Sequence, residues 1–127
     1  MIESAALLAL IVLAGLTLFQ IALIAGAPWG RFAWGGQHQV LPTRLRVGSV
    51  VSIGLYTIFA LLILQASGLA ALGLPDGFVR SGMWFVAIYS CIGVLMNAVS
   101  RSKSERALMT PVAACLALAY VYVTIGT

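Results

Sequence analysis

Residues 83–125 read MWFVAIYSCIGVLMNAV, SRSKSER and ALMTPVAACLALAYVYVTI: an uncharged apolar run, a basic hinge holding Arg101, Lys103 and Arg106, and a second uncharged apolar run. Each run is close to the roughly 20 residues that a helix needs to cross the hydrocarbon core of a bilayer. The same arrangement occurs upstream, where Ala5 to Ala27 and Val47 to Leu64 are apolar and flank a second basic segment with Arg31, Arg44 and Arg46. Four helices are therefore expected, over approximately 5–27, 45–67, 81–100 and 106–126, in a single transmembrane domain spanning 1–127. The fold class that follows is all-α: an integral membrane four-helix bundle with an interfacial or re-entrant loop between helices one and two.

Composition points the same way. The chain is 62% hydrophobic and 8% charged, with a mean hydropathy of +1.10, whereas soluble domains carry about a quarter of their residues as charges. A net charge of +4 would suggest nucleic acid in a soluble protein. Here the cations border membrane helices, so anionic lipid headgroups are the expected partner and nucleic acid is not. Cys91 and Cys115 are isolated within apolar runs, without C-x-x-C spacing. They read as buried structural thiols, with a contact between helices three and four left open, and no metal site or cofactor is expected. Ala25-Gly26-Ala27 has the look of a signal cleavage site, but the acidic start at Glu3 and the length of the first run favour a retained helix.

Of the seven basic side chains, six lie in the two segments that four spans would put on one side, and only Arg80 lies opposite. The positive-inside bias makes segments 28–44 and 101–106 cytoplasmic and both termini external. So one-sided a distribution opposes dual-topology insertion. The three acids, Glu3, Asp76 and Glu105, fall at expected helix ends or loops, which weakens a proton-coupled mechanism built on an intramembrane carboxylate.

Polar side chains inside the runs are few. Gln20 suits an interhelical hydrogen bond or, alternatively, a ligand contact, and Ala22 with Gly26 has small-xxx-small spacing for close helix approach. Gly48, Ser52 and Tyr56 recur every four residues, as a packing seam or a pore lining. Tyr89, Gly93 and Asn97 share one face of helix three, and Arg101 continues it. Segment 28–42 is rich in Gly and Pro yet carries Trp29, Phe32 and Trp34, aromatic residues suited to the headgroup layer. His38, the only histidine, reads there as an interfacial hydrogen-bonding group, with a proton-handling role open to an imidazole, and lacks the neighbours a metal would need. Helix two is expected to begin near Pro42 or Thr43, and Gly73 to Gly77 to turn on the opposite side. Ser102 to Glu105 fits a capping box, with Glu105 reaching back to the Ser102 amide. Either helix four starts there and contains Pro111, or Thr110 caps a helix that Pro111 opens. Tyr120 and Tyr122 are expected to anchor its outer end.

Two stretches, Gly26-Ala27-Pro28-Trp29-Gly30 through Trp34-Gly35-Gly36-Gln37-His38 with Leu41-Pro42 and Leu45-Arg46, and Asn97 to Arg106 before Pro111, resemble a group of small four-span bacterial integral membrane proteins. The resemblance implies the topology and a bacterial inner (plasma) membrane, and implies no chemistry. Both stretches fall on the cytoplasmic side. Arg31, His38, Arg44, Arg46, Asn97, Arg101, Lys103 and Arg106, roofed by Trp29 and Trp34, would suit a headgroup-depth site for an anionic amphiphile, because guanidinium groups bind phosphate bidentately. The alternative is that these cations are topology signals only. No catalytic constellation is present, so the leading expectation is a non-enzymatic membrane protein acting by association, as accessory subunit or anionic-lipid-binding scaffold. A homo-oligomeric channel or carrier, with Gln20, Tyr56, Tyr89 and Asn97 lining a polar path between subunits, is the alternative. An enzyme acting on a lipid phosphate, with His38 as base, is the third.

Overall fold

The computed structural model describes residues 1–127 and is all-helical: α1 (Ile2–Ile24), α2 (Thr43–Ala66), α3 (Asp76–Ala98) and α4 (Lys103–Gly126), with two short 3-10 turns at Gly30–Phe32 and Trp34–Gly36. All four α-helices are long and apolar enough to cross a membrane. Around the bundle α1 packs on α2 and α4, and α3 packs on α4 and α2. The α1–α2 loop and the α3–α4 turn meet at one end. At the other, Ile2 lies against Gly126, so both termini share that end.

Each helix buries only a narrow stripe. In α1 the buried residues are Ala6, Ala9, Leu13, Gln20 and Leu23, a spacing of three and four with one longer step that keeps one face inward. The outward faces carry Ile11, Leu18, Leu118 and Ile125, each about two-thirds exposed or more. In water such a surface would aggregate; in a bilayer it is solvated by acyl chains.

Sequence explains where the helices start and stop. Gly26, at φ +96°, closes α1 as the left-handed residue of a Schellman motif: its N–H donates to Leu23 O and the Ala27 N–H donates to Ala22 O. At α2 Pro42 is the cap and Thr43 the first helical residue. Helix α3 begins at Asp76, five residues before its expected start, because Asp76 and Arg80 are exposed at the aqueous end and the acid suits a helix N-terminus. Helix α4 starts after Ser102 and runs through Pro111, which selects the first of the two arrangements left open.

The close-packed core fills the terminal half of the bundle. Leu13, Phe59, Ile63, Met83, Val86, Leu116, Tyr120 and Val123 form one buried cluster, and a Cβ at Gly82 would stand 2.9 Å from the Leu62 methyls. Two hydrogen bonds tie helices together there: Tyr120 Oη donates to Phe59 O at 2.6 Å and Thr124 Oγ1 to Met83 O at 3.4 Å. Tyr120 is thus fully buried rather than an interfacial anchor, since it shares the inward stripe of Leu116 and Val123; Tyr122 is exposed. Beside it, Gln65 clamps the α2–α3 connection through both backbone groups of Leu74, at 2.8 and 2.9 Å. The cysteines are free; Cys91 is exposed on the outer face of α3 and Cys115 is half-buried, so neither is the buried thiol expected.

Candidate functional site

In the other half the four helices stop short of close packing and leave a half-open cavity of about 250 Å³. The 28–42 loop builds its roof. Gly30 N–H donates to Gln39 O at 2.8 Å and ties the loop's two ends together, and Gly30 must be glycine because a Cβ would strike the His38 carbonyl. Trp34, at a positive φ of 52°, lays its six-membered ring against Gly48, where a Cβ would stand 2.8 Å from the ring. Its indole N–H donates to Ser49 Oγ at 3.4 Å. Phe32, Ala33 and Trp34 all face the cavity.

The walls combine aromatic and polar groups. Gln20 comes from α1, Ser52, Tyr56 and Phe59 from α2, Tyr89, Ser90, Gly93 and Asn97 from α3, and Glu105 with Met109 and Leu116 from α4. Phe59 meets Tyr89 edge-on with centroids 5.5 Å apart. The half-exposed Tyr89 extends this wall to the outer surface of the bundle. Asn97 Nδ2 donates to Gly93 O at 2.9 Å and Ser52 Oγ to Gly48 O at 3.1 Å. Gln20 Oε1 and Ser90 Oγ are buried without a hydrogen-bond partner, while the Gln20 side chain also meets the Tyr56 hydroxyl of α2, the contact between helices that its sequence position suggested. An orphaned buried oxygen costs about 1–3 kcal/mol, a penalty that a ligand bearing a donor would remove.

Glu105 is the unexpected member. Ser102 Oγ accepts from the Glu105 N–H at 3.2 Å, as a capping box requires, but the carboxylate does not turn back to the Ser102 amide, whose donor goes to Ser100 Oγ at 3.2 Å. Instead Glu105 Oε2 accepts from the Gly35 N–H of the loop at 3.3 Å. The side chain is 8% exposed and forms part of the cavity wall. The nearby arginines point elsewhere: Arg106 Nη1 donates to Ser100 O at 3.1 Å and Arg46 Nε to Leu41 O at 2.8 Å. The positive end of α4 favours a carboxylate here, yet no side-chain cation donates to it.

The residues expected at the site therefore separate into two groups. Gln20, Tyr56, Tyr89, Asn97 and Trp34 converge on the cavity, within one bundle. Arg31, Arg44, Arg101, Lys103 and Arg106 are exposed at the same end, with Trp29 also exposed and Arg46 and His38 partly buried; none of them lines the cavity. The Arg31 guanidinium lies 4.7 Å from the Phe32 ring centroid. Helix α3 ends at Ala98, so Arg101 sits in the following turn and does not continue the Asn97 face. The Gly48 stripe divides: Gly48 is a packing surface, while Ser52 and Tyr56 face the cavity. Glu105 was legible as the first member of an inward stripe with Met109, Val112 and Leu116, at helical spacing, and was obscured by its capping pattern. The side chains do not assemble three His, Cys, Asp or Glu groups around a point that a metal could occupy.

Fold and site define a multi-pass membrane helix bundle with a half-open, loop-roofed cavity at one end. Comparisons with protein-family models, curated proteins and solved structures found no match to the chain.

Proposed function

We propose that this chain is a non-enzymatic integral membrane protein that acts by association, as a scaffold that gathers anionic lipid around a basic collar at the cytoplasmic end of the bundle. A bacterial inner membrane, with segments 28–44 and 101–106 inside and both termini outside, suits the six-to-one distribution of basic residues. The observation that carries the proposal is the hydrogen bond from Ser102 Oγ to Arg31 O, at 2.6 Å. It joins two segments distant in sequence, so that Arg31, Arg101, Lys103 and Arg106 stand exposed on one joined surface instead of on two independent loops. Cations near a membrane surface each contribute about 1 kcal/mol of attraction to anionic lipid, and planar guanidinium groups add bidentate hydrogen bonds to phosphate.

The test is gentle extraction from native membranes followed by mass spectrometry of bound lipid. Phosphatidylglycerol or cardiolipin should be retained over phosphatidylethanolamine, and the Arg31→Gln, Arg101→Gln double variant should lose that preference. Retention indifferent to headgroup charge would reject the scaffold, and a stoichiometric partner protein would make the chain an accessory subunit instead.

Carriage of a small solute is favoured by a separate observation, the convergence of Gln20, Tyr56, Tyr89 and Asn97 on one cavity. Flux in liposomes that disappears in Asn97→Leu would support it, and tight liposomes would count against it.

A further inference from the structure

The cavity is a site of its own, and its chemistry differs from that of the basic collar. We infer that it binds a small organic cation, a protonated amine, with Glu105 as counter-charge, the free oxygens of Gln20 and Asn97 as acceptors, and Trp34, Tyr56 and Tyr89 as aromatic walls.

The polar inventory supports this. Asn97 spends one N–H on Gly93 O and leaves Oδ1 free to accept; Gln20 Oε1 is buried without a donor; and one oxygen of Glu105 remains after Oε2 takes the Gly35 N–H. The site thus offers free acceptors and one buried carboxylate that accepts from a backbone N–H and from no arginine or lysine. A buried charge without a partner is costly, and a cation that enters restores the balance. An anion would meet the Glu105 carboxylate as a like charge, so a cation is the better partner there. Aromatic faces attract cations through their quadrupoles, most strongly where water is excluded.

Size narrows the class. A volume of about 250 Å³ lies just below the roughly 300–1,000 Å³ of ordinary ligand pockets, enough for a small ammonium compound. Entry is consistent with the half-exposed Tyr89 on α3. None of this depends on the lipid scaffold proposed above, so either can fail alone.

Binding is tested on the full chain in phosphatidylcholine nanodiscs, with empty nanodiscs as the blank. Benzylammonium, its neutral isostere ethylbenzene and the anion benzenesulfonate are titrated by calorimetry and by quenching of tryptophan emission. The ammonium compound should bind saturably, with the isostere and the sulfonate on the order of tenfold weaker or more. Glu105→Gln, which keeps an acceptor for the Gly35 N–H, should weaken the ammonium by a similar factor with its melting temperature retained. Equal binding of the isostere, tighter binding of the sulfonate, or unchanged affinity in a folded Glu105→Gln protein would each overturn the inference. If that variant does not fold, the three-probe comparison on the unaltered chain decides.

Discussion

Ser102 and Arg31 are 71 positions apart in sequence and share one short hydrogen bond, in which the Ser102 hydroxyl donates to the Arg31 carbonyl while the same oxygen accepts from the Glu105 N–H. One hydroxyl therefore caps α4 and holds the loop over the cavity. Gly36, at φ +72°, permits the approach, since a Cβ there would collide with the Ser102 side chain. Ser102→Ala removes both bonds. Loss of the cap alone costs about 0.5–2 kcal/mol, and loss of the loop tether should expose segment 28–42. We expect a lower melting temperature together with faster proteolysis in that segment, whereas Ser104→Ala, a substitution outside these bonds, should change neither. A loop as resistant as in the unaltered chain would separate capping from tethering.

Trp34 and Gly48 provide a second, independent anchor for the same loop. A methyl group at position 48 cannot fit beneath the ring without moving it, so Gly48→Ala should drive Trp34 off α2 and break its bond to Ser49. Overpacking of this kind costs about 1–3 kcal/mol. Its signature is spectral: the Trp34 emission, isolated by changing Trp29 and Trp84 to Phe, should shift to longer wavelength in Gly48→Ala. An unmoved spectrum would mean that the ring has room to retreat.

The contrast between the two halves of the bundle explains what the sequence reveals. Hydropathy reports transfer from water to lipid, so Ala5 to Ala27 or Ala107 to Ile125 announce helices without reference to neighbours. The register of each helix against the others is a different matter, because in lipid the outward face is as apolar as the inward one. Tyr120 and Tyr122 look alike in sequence, yet one is fully buried and the other exposed. Gln20 and Asn97 were recognisable as polar groups in apolar runs, but their convergence with Glu105 depends on how four helices and a loop assemble. The arginines, conspicuous in sequence, are exposed apart from the partly buried Arg46, because their charge seeks water, and so they mark the ends of the bundle rather than the lining of the cavity.

Tyr120 should separate the worth of a hydrogen bond from that of packing. Its hydroxyl donates to Phe59 O across the bundle, and interhelical hydrogen bonds in membranes average about 0.6 kcal/mol. Tyr120→Phe should therefore be mildly destabilising. Tyr120→Ala opens a void in the core cluster and should cost about 3–5 kcal/mol by analogy with other aromatic truncations. Unfolding in graded detergent denaturant, monitored by circular dichroism, gives both values. Similar losses in the two variants would transfer the weight of this residue from packing to the hydrogen bond.

Orientation can be read with thiols. Ser4 and Gln37 are both exposed and lie at opposite ends of the bundle, the first near the termini and the second in the basic loop. In a background with Cys91→Ala and Cys115→Ala, the positive-inside bias requires Ser4→Cys to react with a membrane-impermeant maleimide on intact cells. Gln37→Cys should react only after the membrane is opened. Changing Arg31, Arg44 and Arg46 to Gln removes half of the six cations at that end and should increase the fraction of inverted molecules, visible as Gln37→Cys labelling in intact cells. The reverse pattern in the unaltered charge background would place the collar and the cavity roof outside, and anionic lipid of the cytoplasmic leaflet could then not be what the collar holds.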